Sequence, residues 1–65
     1  MTVQRAIIDR QEIRRQIGAG RDFVLFNHAT GDPVSFHTSR EYAQSKAAKL
    51  GYHYSVHNLR VGYEY

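Results

Sequence analysis

The chain has 65 residues, a net charge of +3 and no cysteine. A chain of this length forms one domain, residues 1–65, and buries only about 60% of the surface that its unfolded form exposes, so we expect marginal stability. Without cysteine, disulfides, thiolate metal sites and thiol catalysis are excluded. Oligomerisation is the remaining support for so small a core, which makes a homodimer one option.

The N-terminus carries only a short apolar run, Ala6 to Ile8. That run is much shorter than the apolar region of a secretory signal peptide. The sequence also has no apolar stretch of the roughly 20 residues that a membrane-spanning helix needs. We therefore expect a cytoplasmic protein without a membrane partner.

Positive charge is concentrated in the N-terminal third. Residues 1–21 hold five arginines against two acidic residues, whereas the charges of residues 22–65 cancel. Such asymmetry is typical of proteins with an anionic partner, and a solvated helix face is the alternative interpretation. The candidate partner-binding residues of this segment are Arg10, Arg14, Arg15 and Arg21.

A short strand and a short helix are predicted first along the chain. Val3–Ile8 is apolar-rich and is predicted as a strand, with one longer helix through the segment as the alternative. Asp9 is predicted to cap the helix by accepting hydrogen bonds from first-turn amides, while Glu12 reaches back to the Asp9 amide. Gly18 is predicted to end the helix in a left-handed conformation.

Residues 23–36 predict a β-hairpin with the three-residue loop Ala29–Gly31. The last residue of such loops has positive φ, which glycine adopts readily. Pro33 has no amide proton, so its strand is predicted to lie at an edge of the sheet. The register places four apolar side chains on one face as two pairs, Val24 with Phe36 and Phe26 with Val34.

A second helix follows the hairpin. Thr38 is predicted as its cap, with Glu41 completing a capping box three residues later. The helix is predicted to run to about Leu50 and to end at Gly51. Its apolar stripe consists of Tyr42, Ala43, Ala47 and Leu50.

The last fifteen residues, Gly51–Tyr65, contain four of the five tyrosines. As one straight strand they would extend roughly 50 Å, too far for a domain with a radius of gyration of roughly 11 Å. A turn at His57-Asn58 is predicted, with a bulge there as the alternative. The turn gathers the apolar side chains on one core-facing layer: Tyr52, Tyr54, Val56, Leu59, Val61 and Tyr63. The remaining candidates for partner contact are His53 and Arg60 on the opposite face and Tyr65 at the end of the chain.

Together these elements predict an α+β fold with a small antiparallel sheet of three to five strands and two helices on one face. The predicted order is β-α-β-β-α-β, with an optional final strand. This order is that of the split βαβ, or ferredoxin-like, arrangement. A three- or four-stranded sheet with two helices is the simpler alternative.

The sequence argues against catalysis and against metal binding. Three of the six carboxylates are predicted to serve helix caps, and no pair placed for acid–base chemistry remains. His53 and His57 have a spacing that suits a metal on a helix, but along a strand they lie roughly 13 Å apart. We therefore expect a non-enzymatic protein without metal or cofactor.

The stretch FVLFNHATGDPVSFHTSREYAQSKAAKLG covers about half of the chain and follows a rhythm of strand, turn, strand and alanine-rich helix. It resembles a module of many small phage and mobile-element proteins, and it is similar to the sheet and helix of the arm-binding domains of tyrosine integrases. Those domains place a further strand before the hairpin, where this sequence predicts a helix. No residue role follows from the resemblance.

The function that these features favour is that of a small accessory protein. It would bind a larger protein or nucleoprotein complex and modulate or inhibit it, as phage inhibitors and anti-defence proteins do. The surplus of tyrosine and arginine supports this expectation, because these residue types are enriched in binding hot spots. The alternative is a nucleic-acid-binding module that uses the N-terminal arginines and exposed tyrosines.

Overall fold

A computed structural model describes residues 6–61. Its elements in chain order are α1 (Arg10–Gly18), β1 (Phe23–Asn27), β2 (Asp32–His37), α2 (Arg40–Leu50) and β3 (Tyr54–Asn58). The strands form one antiparallel sheet in the order β2-β1-β3. The predicted α+β class is confirmed, with three strands between residues 6 and 61. Most of the predicted strand Val3–Ile8 lies outside these residues, and its described part, residues 6–8, is irregular.

The two helices lie on opposite faces of the sheet, so the prediction of two helices on one face is wrong. Neighbouring side chains of β1 point to opposite faces, which separates Val24 and Phe26 from Leu25. Val24 and Phe26 pack with Ile13 of α1 in one buried cluster. On the other face α2 contacts the sheet and places the Arg40 guanidinium 5.6 Å from the centre of the Phe23 ring. The ferredoxin-like arrangement therefore does not describe residues 6–61.

Each face of the sheet has its own core. The α1 side is built from Ala6, Ile13, Val24, Phe26 and Leu59, against which three half-buried side chains pack. The α2 side is closed by two small residues, Ala43 and Ala47, both buried, above the fully buried Leu25. Small residues let this helix lie close to the strands.

Helix α1 begins as predicted and ends slightly later. The Asp9 side chain accepts a hydrogen bond from the Gln11 amide at 3.2 Å, which confirms the cap. Glu12 does not return to the Asp9 amide; its carboxylate accepts from Gln16 at 2.6 Å and pairs with Arg15. The helix includes Gly18, and the left-handed residue is Gly20, with φ of 85°.

The hairpin is confirmed in its location and in part of its register. Val24 pairs with Phe36, and Gly31 has the expected positive φ of 84°. The turn contains four residues, 28–31, and Phe26 pairs with Pro33 in place of Val34. The register shifts there because Pro33 has no amide to donate to a regular ladder.

Helix α2 is capped one residue later than predicted. The Ser39 hydroxyl accepts from the Tyr42 amide at 3.2 Å, so Ser39 is the cap and Thr38 is not. Gly51 ends the helix with φ of 128°, as predicted. The predicted apolar stripe is only half right, because Tyr42 and Leu50 are exposed.

The C-terminal segment differs most from its prediction. Strand β3 runs straight through His57 and Asn58 in a regular register with β1, so there is neither a hairpin turn nor a bulge at that point. The chain turns only after Asn58. Leu59 is fully buried on the α1 side, away from Val56, while Tyr52 is largely exposed. Tyr63 and Tyr65 lie outside the described residues.

Candidate protein-binding edge

Within residues 6–61, strand β3 forms one outer edge of the sheet, and its hydrogen bonds to β1 determine which of its backbone groups face outward. The His28 amide donates to the His53 carbonyl at 2.8 Å, and the Leu59 amide donates to the Asp22 carbonyl at 2.7 Å. In an antiparallel ladder every second residue bonds to the neighbouring strand. Odd-numbered residues of β3 therefore face β1, and the backbone groups of Tyr54, Val56 and Asn58 point away from it.

Two of these six outward groups are already bonded within the chain. The Tyr54 amide donates to the Gly51 carbonyl at 3.1 Å, and the Asn58 carbonyl accepts from the Val61 amide at 3.1 Å. Within residues 6–61, the Tyr54 carbonyl, the Val56 amide and carbonyl, and the Asn58 amide have no hydrogen-bond partner. These four groups are the free row of β3.

A groove runs beside the free row, between β3 and α2. The side chains of Tyr54, Val56 and Asn58 face α2, because they share the sheet face of Leu25, which pairs with Val56. The groove holds about 510 Å³ at the Tyr54 end and about 230 Å³ at the Asn58 end. Its opposite wall is formed by α2 residues Arg40, Gln44, Ala47 and Ala48.

The other outer strand, β2, is a poorer template for an incoming strand. It contains Pro33 and the register shift, and both features are among those that protect sheet edges from further pairing. The Ile7 amide also donates to the Gly31 carbonyl at 2.7 Å, so an N-terminal residue contacts the hairpin turn. Strand β3 is thus the more regular edge, and no charged side chain lies at positions 54, 56 or 58.

The N-terminal arginines do not line this groove. Arg10 and Arg14 are exposed on α1, which packs against the opposite face of the sheet. Arg15 pairs with Glu12 at 2.7 Å, and Arg21 donates to the Gln16 side chain at 3.3 Å. These four candidate residues remain predictions, as does the nucleic-acid alternative that depends on them.

Of the C-terminal candidate residues, His53 and Arg60 lie beyond opposite ends of β3. The His53 ring lies against the Tyr52 ring just before the start of β3, with ring centres 4.1 Å apart. Arg60 is half-exposed and its Nε lies 3.2 Å from Asp22 Oδ1, which ties the end of β3 to the start of β1. Tyr65 lies outside the described residues.

Sequence reasoning misses the groove residues. It predicts Val56 in a core-facing layer with Leu59, and Asn58 in a turn. Gln44 and Ala48 are exposed positions of α2 without a distinctive pattern. The available signal is the run from Tyr54 to Asn58 without proline or formal charge, which suits an edge strand as well as a hairpin.

Within residues 6–61 no group of three or more histidine, aspartate or glutamate side chains is placed to hold a metal ion. Over the same residues no helix is long and apolar enough to cross a bilayer. Comparison with known proteins gives no match: no family model, no curated protein and no solved structure resembles the chain significantly.

His37 makes the folded state sensitive to acid. Burial lowers its pKa from the ordinary value of 6.5, and the nearby positive charge of Lys46 lowers it further. The folded state therefore resists protonation that the unfolded chain accepts, so the free energy of unfolding falls as the pH drops below 6.5 towards the lowered value. We expect His37→Gln to lose less stability than the wild type between about pH 7.5 and about pH 5 in urea unfolding.

A matched histidine control is available for that measurement. His53→Gln removes an exposed histidine at the far end of the sheet. It serves as a control for the replacement of histidine by glutamine as such. An identical pH dependence in His37→Gln and in the wild type would contradict the assignment to His37.

Proposed function

We propose that this is a non-enzymatic, cytoplasmic accessory protein that binds an extended segment of a larger protein along β3 and thereby modulates or inhibits that partner. The observation that carries the proposal is the free row of β3 lying beside the open groove. An exposed, regular strand edge binds extended peptides by adding them to the sheet as a further strand. In such complexes the main-chain hydrogen bonds supply affinity, and pockets for alternate side chains supply specificity.

The groove favours a partner segment with a defined side-chain pattern. Every second side chain of the added strand would enter the groove, because successive residues point to opposite faces. The Tyr54 end is lined by tyrosine and alanine side chains and suits an apolar residue. The Asn58 end includes Arg40 and suits an acidic or amide side chain. The partner segment thus presents an apolar and an acidic or amide side chain to the groove and has no positive charge at the Arg40 end.

Selection from a library of random, unstructured peptides tests the proposal without requiring that the partner be identified first. Enriched peptides should carry an apolar residue and an acidic or amide residue at groove-facing positions, and they should shift the amide NMR signals of Val56 and Asn58. Val56→Pro should weaken their binding about tenfold or more, because it removes the amide at the centre of the free row. Val56→Ile retains that amide and serves as the matched control.

Two results would overturn this function. One is that selected peptides bind Val56→Pro and the wild type equally well. The other is that they shift signals of α1 in place of those of β3. Circular dichroism of Val56→Pro confirms that the variant is folded; if it is not, Val56→Lys, which retains the amide and places a charge in the groove, should weaken binding in its place.

A further inference from the structure

The free row of β3 is self-complementary. We infer that two copies of this chain pair through β3, antiparallel, about a two-fold axis at Val56, and that this homodimer occupies the edge until a partner segment displaces one copy. The inference rests on the edge proposed above as the binding surface, and it adds the regulation of that surface. The joined sheet has six strands in the order β2-β1-β3-β3-β1-β2.

The hydrogen-bonding groups match one by one in this register. Val56 lies opposite Val56 of the second copy, and the two residues exchange two amide-to-carbonyl bonds. On each side of that pair, the free Asn58 amide of one copy meets the free Tyr54 carbonyl of the other. The groups that complete those flanking pairs, the Tyr54 amide and the Asn58 carbonyl, are the two that already have partners within each chain. Four intermolecular bonds therefore form, and no outward group of β3 is left unpaired.

Neighbouring registers fit less well. A shift of the axis to residue 55 places the Asn58 amide opposite the Tyr52 carbonyl, which already accepts from His28 Nε2 at 2.8 Å. A shift to residue 57 places the Tyr54 carbonyl opposite the Arg60 amide, which donates to the Asn58 side chain at 2.8 Å. Each shift leaves two intermolecular bonds where the Val56 register has four. The bonds made within the chain thus select one register.

Side chains and charge permit the same pairing. The two-fold axis runs through the sheet, so both α2 helices lie on one side of the joined sheet and the two grooves merge above the β3 pair. The side chains that meet there are Tyr54, Val56 and Asn58 of each copy, and none carries a charge. Like charges facing across a strand pair are destabilising, and edge strands of monomers often carry lysine for that reason. A domain of this size also gains stability from association.

Sedimentation equilibrium tests the assembly over concentrations from about 1 μM to about 1 mM. The wild type and Val56→Ile should approach twice the chain mass, whereas Val56→Pro and Val56→Lys should remain monomeric. A wild type that stays monomeric throughout would overturn the inference. So would a Val56→Lys variant, folded by circular dichroism, that associates as the wild type does.

A single introduced cysteine tests the register. In a hydrogen-bonded antiparallel pair the Cα atoms lie about 5.5 Å apart, within the range that a disulfide spans. Val56→Cys should therefore oxidise to a disulfide-linked dimer, because no other cysteine competes. Val34→Cys, at the other edge of the sheet, should remain reduced under the same conditions. Equal oxidation of the two variants would contradict the β3 pairing.

The failure of this inference can be told apart from failure of the proposed function. Peptide binding is measured at a concentration at which the wild type is monomeric, so it does not depend on the dimer. If the chain dimerises through β3 but no selected peptide binds that edge, the homodimer is supported and the proposed function is wrong. If the chain stays monomeric and binds selected peptides at Val56, the proposed function is supported and the homodimer is wrong.

Discussion

Leu59→Ala should unfold most of the protein or leave it close to unfolding. Leu59 is fully buried between α1 and the sheet, and truncating such a side chain costs about 2–5 kcal/mol. A domain of this length has a total stability of only about 3–10 kcal/mol at typical values per residue. The loss should appear in urea unfolding and as a fall in Tm of roughly 10 °C or more.

Leu50→Ala is the matched control for that experiment. Leu50 is 46% exposed near the end of α2, so its truncation should change the free energy of unfolding by about 0.5 kcal/mol or less. A similar stability for the two variants would mean that Leu59 does not join the core on the α1 side.

Ala43→Leu should destabilise the opposite face of the sheet. Ala43 is a fully buried residue on the sheet-facing side of α2, which covers Leu25. The space between helix and sheet has no room for the three further carbon atoms of leucine. Overpacking of this kind costs about 1–3 kcal/mol, because side chains leave their preferred rotamers and the helix must shift. The expected result is a lower urea midpoint with an unchanged slope.

The control for this second variant is Ala48→Leu. Ala48 is exposed on the groove wall of the same helix, so the added side chain meets solvent and stability should change by about 0.5 kcal/mol or less. Equal destabilisation by the two leucines would place α2 in a different rotation against the sheet. Unchanged stability of both would mean that α2 does not cover Leu25.

Features fixed by neighbouring residues are predictable from the sequence. The Asp9 cap, the left-handed Gly31 and the end of α2 at Gly51 depend on a few adjacent residues, and the structure confirms all three. The cap of α2 is predicted one residue early because Thr38 and Ser39 have equivalent side-chain oxygens. Local sequence cannot distinguish two adjacent hydroxyls when both precede a helix.

Features fixed by distant residues are not predictable in this way. Periodicity indicates that Ile13 and Ala43 are buried, but it does not indicate on which side of the sheet each helix lies. The partner of β3 is a similar case: His57-Asn58 can turn the chain back on itself, yet β3 pairs with the distant β1. The Arg60–Asp22 ion pair follows from that long-range pairing and has no signal in the sequence.

The candidate site belongs to this second group. Which backbone groups of β3 are free depends on its register with β1 and on two bonds, from Tyr54 to Gly51 and from Val61 to Asn58. The sequence indicates the strand but not its neighbours, so it cannot assign an open edge. The prediction of protein binding rests on composition, whereas the surface proposed for it comes from the hydrogen-bonding pattern.

The central position of β1 has a consequence for how the chain folds. The hairpin with β2 joins near neighbours, but the other side of β1 is closed by a strand about 30 residues further along. Distant pairings form late, because more chain entropy is lost in closing the loop. During synthesis one side of β1, the most apolar strand, therefore stays unpaired until β3 has been made. Chains truncated before β3 should aggregate, because the side of β1 that β3 covers stays open.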